Sequence, residues 1–221
     1  MVNWVINQVY AAQTTQRLGE KEKQTGIFKQ PLPEAATVDE NGIVGDIQAD
    51  KTVHGGPEKA LHQYAVASYL LMQKAFPELS DKLIIGSLGE NISARGMHEH
   101  NVFIGDIYRM GGITVQVSQP RQPCWKINSK FDDPRLVKFV TKTYTNGWYF
   151  RVLEGGEIAA GHKIELLERP NDLSVYHFLR IYTDRQPSEH YLKMALQCQG
   201  LNPAWQEKLQ QRFEHLYGSN H

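Results

Sequence analysis

Apolar positions in this chain fall in short runs broken by glycine, proline and asparagine, and helical spacing dominates only near the end. Residues 2–10 are apolar and β-branched, which predicts an opening strand. Gly26, Pro31, Pro33 and the Asn41-Gly42 pair punctuate further short strands. Pro57 can open a helix reaching about Phe76, in which Ala60, Tyr64, Ala67 and Leu71 recur at three-to-four spacing and Pro77 supplies a stop. Residues 83–88 and 102–110 read as strands, and Gly111-Gly112 turns into a strand over 113–118. Residues 134–144 fit one amphipathic helix, and strands resume over 148–153 and 163–167. Short strands, glycine turns and only two helices predict a mainly β-barrel domain rather than alternating βα units.

The pattern changes after Pro170. Residues 172–182, 188–199 and 203–217 all read as helices, with Gly200 a suitable C′ residue for the second and Asn202-Pro203 an N-cap and N1 pair for the third. The expected class is therefore α+β: a barrel over 1–169, then a separable three-helix module over 171–221 serving recognition or assembly. Leu173, Tyr176, Leu179, Leu192, Leu196, Trp205, Leu209 and Phe213 are its expected buried positions. Such helices are too short to stand alone, so they should dock on the barrel near its functional mouth or on a partner chain. Three short helices also suit a DNA reader, but Arg180, Arg185, Lys193, Lys208 and Arg212 are matched by Asp172, Asp184, Glu189, Glu207 and Glu214, and phosphate binding needs an excess of bases.

Composition narrows the classes. With 41% hydrophobic and 22% charged residues the 221-residue chain is globular, and 24 Lys+Arg against 24 Asp+Glu give no global attraction to nucleic acid or anionic membrane. No apolar run approaches the roughly 18 residues of a membrane span, and the N-terminus lacks a basic export region, so a cytoplasmic protein is expected. Cys124 and Cys198 lie too far apart in sequence for a CxxC spacing, which excludes a disulfide scaffold and a four-thiolate zinc site.

The chemistry concentrates around Cys124. In Gln119-Pro120-Arg121-Gln122-Pro123-Cys124-Trp125-Lys126 two prolines stiffen the loop and two cations flank the thiol. Such surroundings favour a thiolate, the form that attacks or ligates metal. Cys198 sits in an amphipathic stretch and reads as structural. His54-Gly55-Gly56-Pro57-Glu58-Lys59 leads a loop into a helix start, where glycine amides can approach an anion; a plain tight turn fits the segment equally well. Gly89-Glu90-Asn91 places an acid and an amide after an apolar run, or forms an ordinary turn. His98-Glu99-His100 would set two imidazoles on one strand face, without a third ligand nearby for zinc. Gly45-Asp46 and Gly105-Asp106 read as structural turns. No GxSxG, Walker or GxGxxG motif occurs.

Taken in order, Thr25-Gly26-Ile27-Phe28-Lys29-Gln30-Pro31, His54-Gly55-Gly56, Gly89-Glu90-Asn91, Pro120-Arg121-Gln122-Pro123-Cys124 and Gly147-Trp148-Tyr149-Phe150-Arg151-Val152 resemble the MOSC family, named after the C-terminal domain of molybdenum cofactor sulfurase. The tail after Pro170 is similar to the three-helix module of one branch, whose members confer resistance to 6-N-hydroxylaminopurine. The resemblance implies a β-barrel that binds molybdopterin-type molybdenum cofactor, with Cys124 as the thiolate on molybdenum and Lys29, His54 and Cys124 as the reacting cluster. Lys59, Arg121, Lys126 and Arg151 are then candidates for the cofactor's phosphate and Asn91 for a hydrogen bond to cofactor or substrate. It further implies reduction of N-hydroxylated bases to amines, with electrons from a separate flavoprotein. Pyridoxal phosphate binding belongs to the family at large, but no pyridoxal-dependent desulfurase domain is expected before the barrel. A cofactor carrier without turnover and a persulfide carrier on Cys124 are the competing readings.

Overall fold

Alternation in the first strand, β1 (Trp4–Ala11), turns Trp4 and Ile6 inward and Val5 outward. A computed structural model describes residues 4–49 and 55–218. After β1 come β2 (Gln16–Leu18), β3 (Lys23–Thr25), β4 (Gln30–Pro31), β5 (Ala36–Asp39), β6 (Gly42–Ile43), β7 (Leu61–Gln63) and β8 (Ile92–Ala94). The remaining strands are β9 (Ile107–Met110), β10 (Ile113–Pro120), β11 (Trp148–Glu154), β12 (Gly156–Ile158) and β13 (Lys163–Glu168). Seven strands run β13-β9-β10-β11-β7-β8-β1 and close into a barrel because β1 pairs back onto β13, Trp4 opposite Ile164. All pairings in this barrel are antiparallel except β7 with β8. Ile6, Tyr108, Val115, Trp148, Phe150 and Ile164 fill its interior. The α+β reading holds.

Among the described residues six α-helices surround the barrel: α1 (Val66–Ala75), α2 (Trp125–Phe131), α3 (Leu136–Thr143), α4 (Val175–Thr183), α5 (Glu189–Leu196) and α6 (Pro203–Tyr217). The first three enclose a second apolar cluster around Tyr64, Tyr69, Met72, Leu88, Ile127 and Val140. No helix among the described residues is long and apolar enough to cross a membrane.

Several elements differ from the periodicity. The helix expected over 57–76 divides into a 3-10 turn (Pro57–Lys59), β7 and α1, because residues 61–63 are claimed by pairing with β11 and β8. Ala67 and Leu71 consequently face solvent. Residues 83–88 form turns, not a strand: Gly86 and Gly89 hold φ of 94° and 81°, and the carbonyls of Leu83 and Leu88 accept from the side chains of Gln73 and Arg121. The 102–110 segment is a strand only from Ile107, since Asp106 turns back on the Phe103 amide at 3.0 Å. Helix α2, directly after Cys124, carries no signal that separated it from the loop.

Three tail helices form, capped by Ser174, Ser188 and Asn202, but α4 starts at Val175 instead of residue 172 because Ser174 caps it, and α5 ends at Leu196, so Gly200 (φ 77°) serves the following loop instead of its C′ position. Leu173, Leu179, Leu192, Trp205 and Leu209 are buried, while Tyr176, Leu196 and Phe213 are partly covered. The buried side chains belong to the same continuous cluster as the barrel. Main-chain bonds join the two as well: Ile104 N donates to Leu173 O at 3.1 Å, Val175 N to Val102 O at 2.9 Å, and Asn202 N to Ser118 O at 2.8 Å. The change of architecture at 169–171 therefore lies within one shared core.

His98-Glu99-His100 lies in a turn, so the expected strand face does not exist there. Glu99 points inward, 3% exposed, and its Oε1 accepts from Gly147 N at 2.8 Å. Burial pushes its carboxyl from 4.5 up to about 7. A raised carboxyl stabilises the fold fully below its unfolded value and loses that contribution as pH rises through the folded one. Glu99→Gln has no such titration. The stability of the native chain relative to Glu99→Gln should fall by about 3 kcal/mol between roughly pH 4 and pH 8, measured by urea unfolding. A pH-independent difference would refute it.

Candidate cofactor cleft

Strand β10 ends at Pro120 and delivers Arg121, Gln122 and Pro123 to one end of the barrel. Cys124 then takes the N-cap position of α2, where its carbonyl accepts from Ile127 N at 3.1 Å. The thiol is half-buried on the wall of an open cleft. Lys29, Lys59, Asn91, Arg121, Cys124 and Lys126, far apart in sequence, all line this cleft.

Arg151 does not. Tyr149 reaches the cleft from β11, whereas Arg151, two residues on, pairs with Glu58 and gives Nη1 to Gln116 Oε1 and to Gly200 O at 2.6 and 2.7 Å. It therefore ties the Pro57–Lys59 turn to the helical module. His54 lies outside the described residues.

Two cleft residues escaped the sequence. Asp46, read as a turn residue, is buried at the cleft and pairs with Lys29; the two side chains are 2% and 8% exposed. Asp46 also accepts from Ala12 N at 2.7 Å and from Asn91 Nδ2 at 2.8 Å, and Asn91 Oδ1 accepts from His62 N at 3.1 Å. One carboxylate thus fixes the residue just past β1, the loop before β8 and the segment around Lys29. Burial pulls the Lys29 ammonium below the ordinary lysine range even with Asp46 beside it.

His62 is the second. It was hidden in the expected helix, but β7 brings it to the cleft floor beside Tyr149, ring centroids 5.1 Å apart. Burial and the Arg121 charge hold its imidazole well below the usual histidine value, so it is neutral, and its Nε2 makes no hydrogen bond.

The electrostatics favour an anion. Lys29, Lys59, Arg121 and Lys126 face the cleft, and among the described residues that line it Asp46 is the carboxylate, paired with Lys29. Arg121, 5% exposed, gives Nη2 to Leu88 O at 3.1 Å but leaves Nη1 buried without a partner. A buried, unsatisfied guanidinium N–H is costly, and a phosphate oxygen would satisfy it. Burial and the charge of Lys208 on α6 lower the Lys59 ammonium, so the helical module reaches the cleft's electrostatic environment. Away from the cleft, burial pushes the Cys198 thiol up to about 12, and its Sγ meets Met194 O at 3.4 Å, a structural setting. Among the described residues no group of three or more His, Cys, Asp or Glu side chains could hold a metal ion by itself. A lone thiolate beside cations suits a metal that arrives in a phosphate-bearing chelator.

Residues 50–165 match the MOSC domain. The chain is 35% identical to Protein YiiM of Escherichia coli over 86% of this chain and 85% of that protein. It is also 36% identical to a protein called Reductase from Gibberella moniliformis over 88% of this chain, which spans only 34% of that longer protein. Among solved structures, YiiM from Escherichia coli superposes with a TM-score of 0.81 at 28% identity, covering 97% of this chain and 94% of that one. YiiM from Geobacillus stearothermophilus gives 0.80 at 28% identity, covering 95% and 99%. With the barrel, the tail helices and the cysteine loop all in place, the chain belongs to the MOSC domain family.

Proposed function

We propose that this protein is a molybdenum-cofactor-dependent reductase of N-hydroxylated compounds, base analogues such as 6-N-hydroxylaminopurine included. The observation that carries the reading is the half-buried Cys124 thiol sharing a cleft with four cations, one of them an Arg121 with an unsatisfied buried N–H. The overall conversion takes R–NH–OH, two electrons and two protons to R–NH₂ and water. When bound, the molybdopterin-type cofactor supplies the two-electron chemistry.

The chain's own residues hold and surround that group. Cys124 offers the soft protein ligand. Arg121, Lys59 and Lys126 would hold the phosphate, the guanidinium through its unpartnered Nη1. Lys29, fixed by Asp46, presents a positive charge at a set place, and Asn91 is held by Asp46 and the His62 amide. The neutral His62 is a hydrogen-bonding wall and no source of protons at neutral pH. His54 keeps its sequence-based assignment as proton donor to the departing hydroxyl. Electrons come from a separate flavoprotein.

Protein purified from a cofactor-competent host should contain about one molybdenum per chain by elemental analysis. Cys124→Ser should lose the metal–thiolate absorption and N-hydroxylaminopurine reduction, and Cys198→Ser should keep both. Bound molybdenum without reductase activity identifies a carrier instead. A one-sulfur mass gain on Cys124 without molybdenum identifies a persulfide protein.

A further inference from the structure

We infer that Glu99 is a positioning residue for the cleft, acting through Gly147 on the backbone of Arg121. Glu99 lies in the turn before Val102 and is absent from the cleft lining, yet its buried carboxylate accepts the Gly147 amide. Gly147 passes the constraint on. Its carbonyl accepts from Arg121 N at 3.0 Å, while the neighbouring Asn146 gives Nδ2 to Arg121 O at 2.9 Å. Both main-chain polar groups of Arg121 are thereby clamped by the Asn146-Gly147 turn, three residues before Cys124.

The clamp has no slack on its other side. Gly147 has φ of 74°, and a Cβ there would lie 2.6 Å from Gln63 O and 3.0 Å from His62 Nε2. The turn is wedged between β7 and Glu99, so the carboxylate fixes which way its amide faces. The same Glu99 is held from behind, since its own carbonyl accepts from Tyr176 N at 2.8 Å at the start of α4. The helical module therefore braces the cysteine loop through one residue: Tyr176 to Glu99, Glu99 to Gly147, Gly147 to Arg121.

This deepens the cofactor reading, and its test needs no cofactor. Iodoacetamide labels Cys124, which is half-buried, while Cys198 is 2% exposed and stays protected in the folded chain. In Glu99→Ala the Cys124 alkylation rate and the exchange rate of the Arg121 amide should each rise about fivefold, the effect of one lost hydrogen bond. Glu99→Gln keeps a carbonyl acceptor for Gly147 and should stay within about twofold of the native rates. Unchanged rates in Glu99→Ala, or equal increases in both variants, would overturn the inference. So would alkylation of Cys198 in step with Cys124, which marks global opening rather than a released clamp. Failure of the cofactor reading would show separately, as absent molybdenum with the alkylation pattern intact.

Discussion

A chain ending at Pro170 should fail to fold. Leu173, Val175, Phe178, Leu179, Trp205 and Leu209 are each at most 3% exposed and share the barrel's apolar cluster. Fully burying a large apolar side chain contributes about 1.5–3 kcal/mol, so even half of this burial, about 5–9 kcal/mol, is comparable to the whole stability of an ordinary domain. The truncation also strips partners from Glu99 O, Val102 O, Ser118 O and the Ile104 amide. Near-UV circular dichroism and size-exclusion chromatography of the 1–170 chain should show lost tertiary packing and aggregation. A cooperative thermal transition within about 5 °C of the full chain would refute this and restore the module as a separable unit.

Replacing Asp46 should be the most damaging single change at the cleft. Asp46→Ala leaves the Lys29 ammonium, 8% exposed, without its paired carboxylate and removes the acceptor of Ala12 N and one of the two acceptors of Asn91 Nδ2. Breaking a buried pair from one side costs about 3–5 kcal/mol. Removing both charges in Lys29→Met/Asp46→Ala should recover at least about half of that loss in urea unfolding, because no charge is then stranded. Molybdenum content should fall in both variants, since each removes the carboxylate that ties Asn91 to the segment around Lys29. A loss below about 1 kcal/mol in Asp46→Ala would mean that Lys29 finds water when its partner leaves.

What the sequence made legible follows from how each feature is encoded. Strands β1, β10 and β13 and the helices α4 and α6 announce themselves through their own residues, by apolar runs and, for α6, by Asn202 and Pro203. Strands β7 and β8 do not. Each has three residues, all buried, so neither alternation nor length marks it, and only pairing with distant strands makes it a strand. The cleft divides the same way. Cys124, Arg121 and Lys126 were found because they are adjacent, and Lys29 and Asn91 through their motifs. Asp46 and His62 escaped because what defines them lies 17 residues away at Lys29 and 29 residues away at Asn91. Arg151 was misplaced for the complementary reason: its partners Glu58, Gln116 and Gly200 are set by strand register, which no local pattern states.

The pairing of β1 with β13 has a consequence for how the chain is made. Trp4 must meet Ile164, and β9 also waits for β13, so the barrel cannot close until residues 163–168 have left the ribosome. At about 5–20 residues per second, the last strand follows the first by roughly ten to thirty seconds. β1 presents an unpaired backbone edge through that interval and β9 through roughly its last third, and open edges are the feature most prone to mispairing with another chain. Barrel closure is consequently a late event in biosynthesis, and α4 to α6, emerging later still, lay down the final side of the core. Slowed translation of the last third of the message would prolong the open-edged state, and the nascent chain would then depend on the holding chaperones of its host.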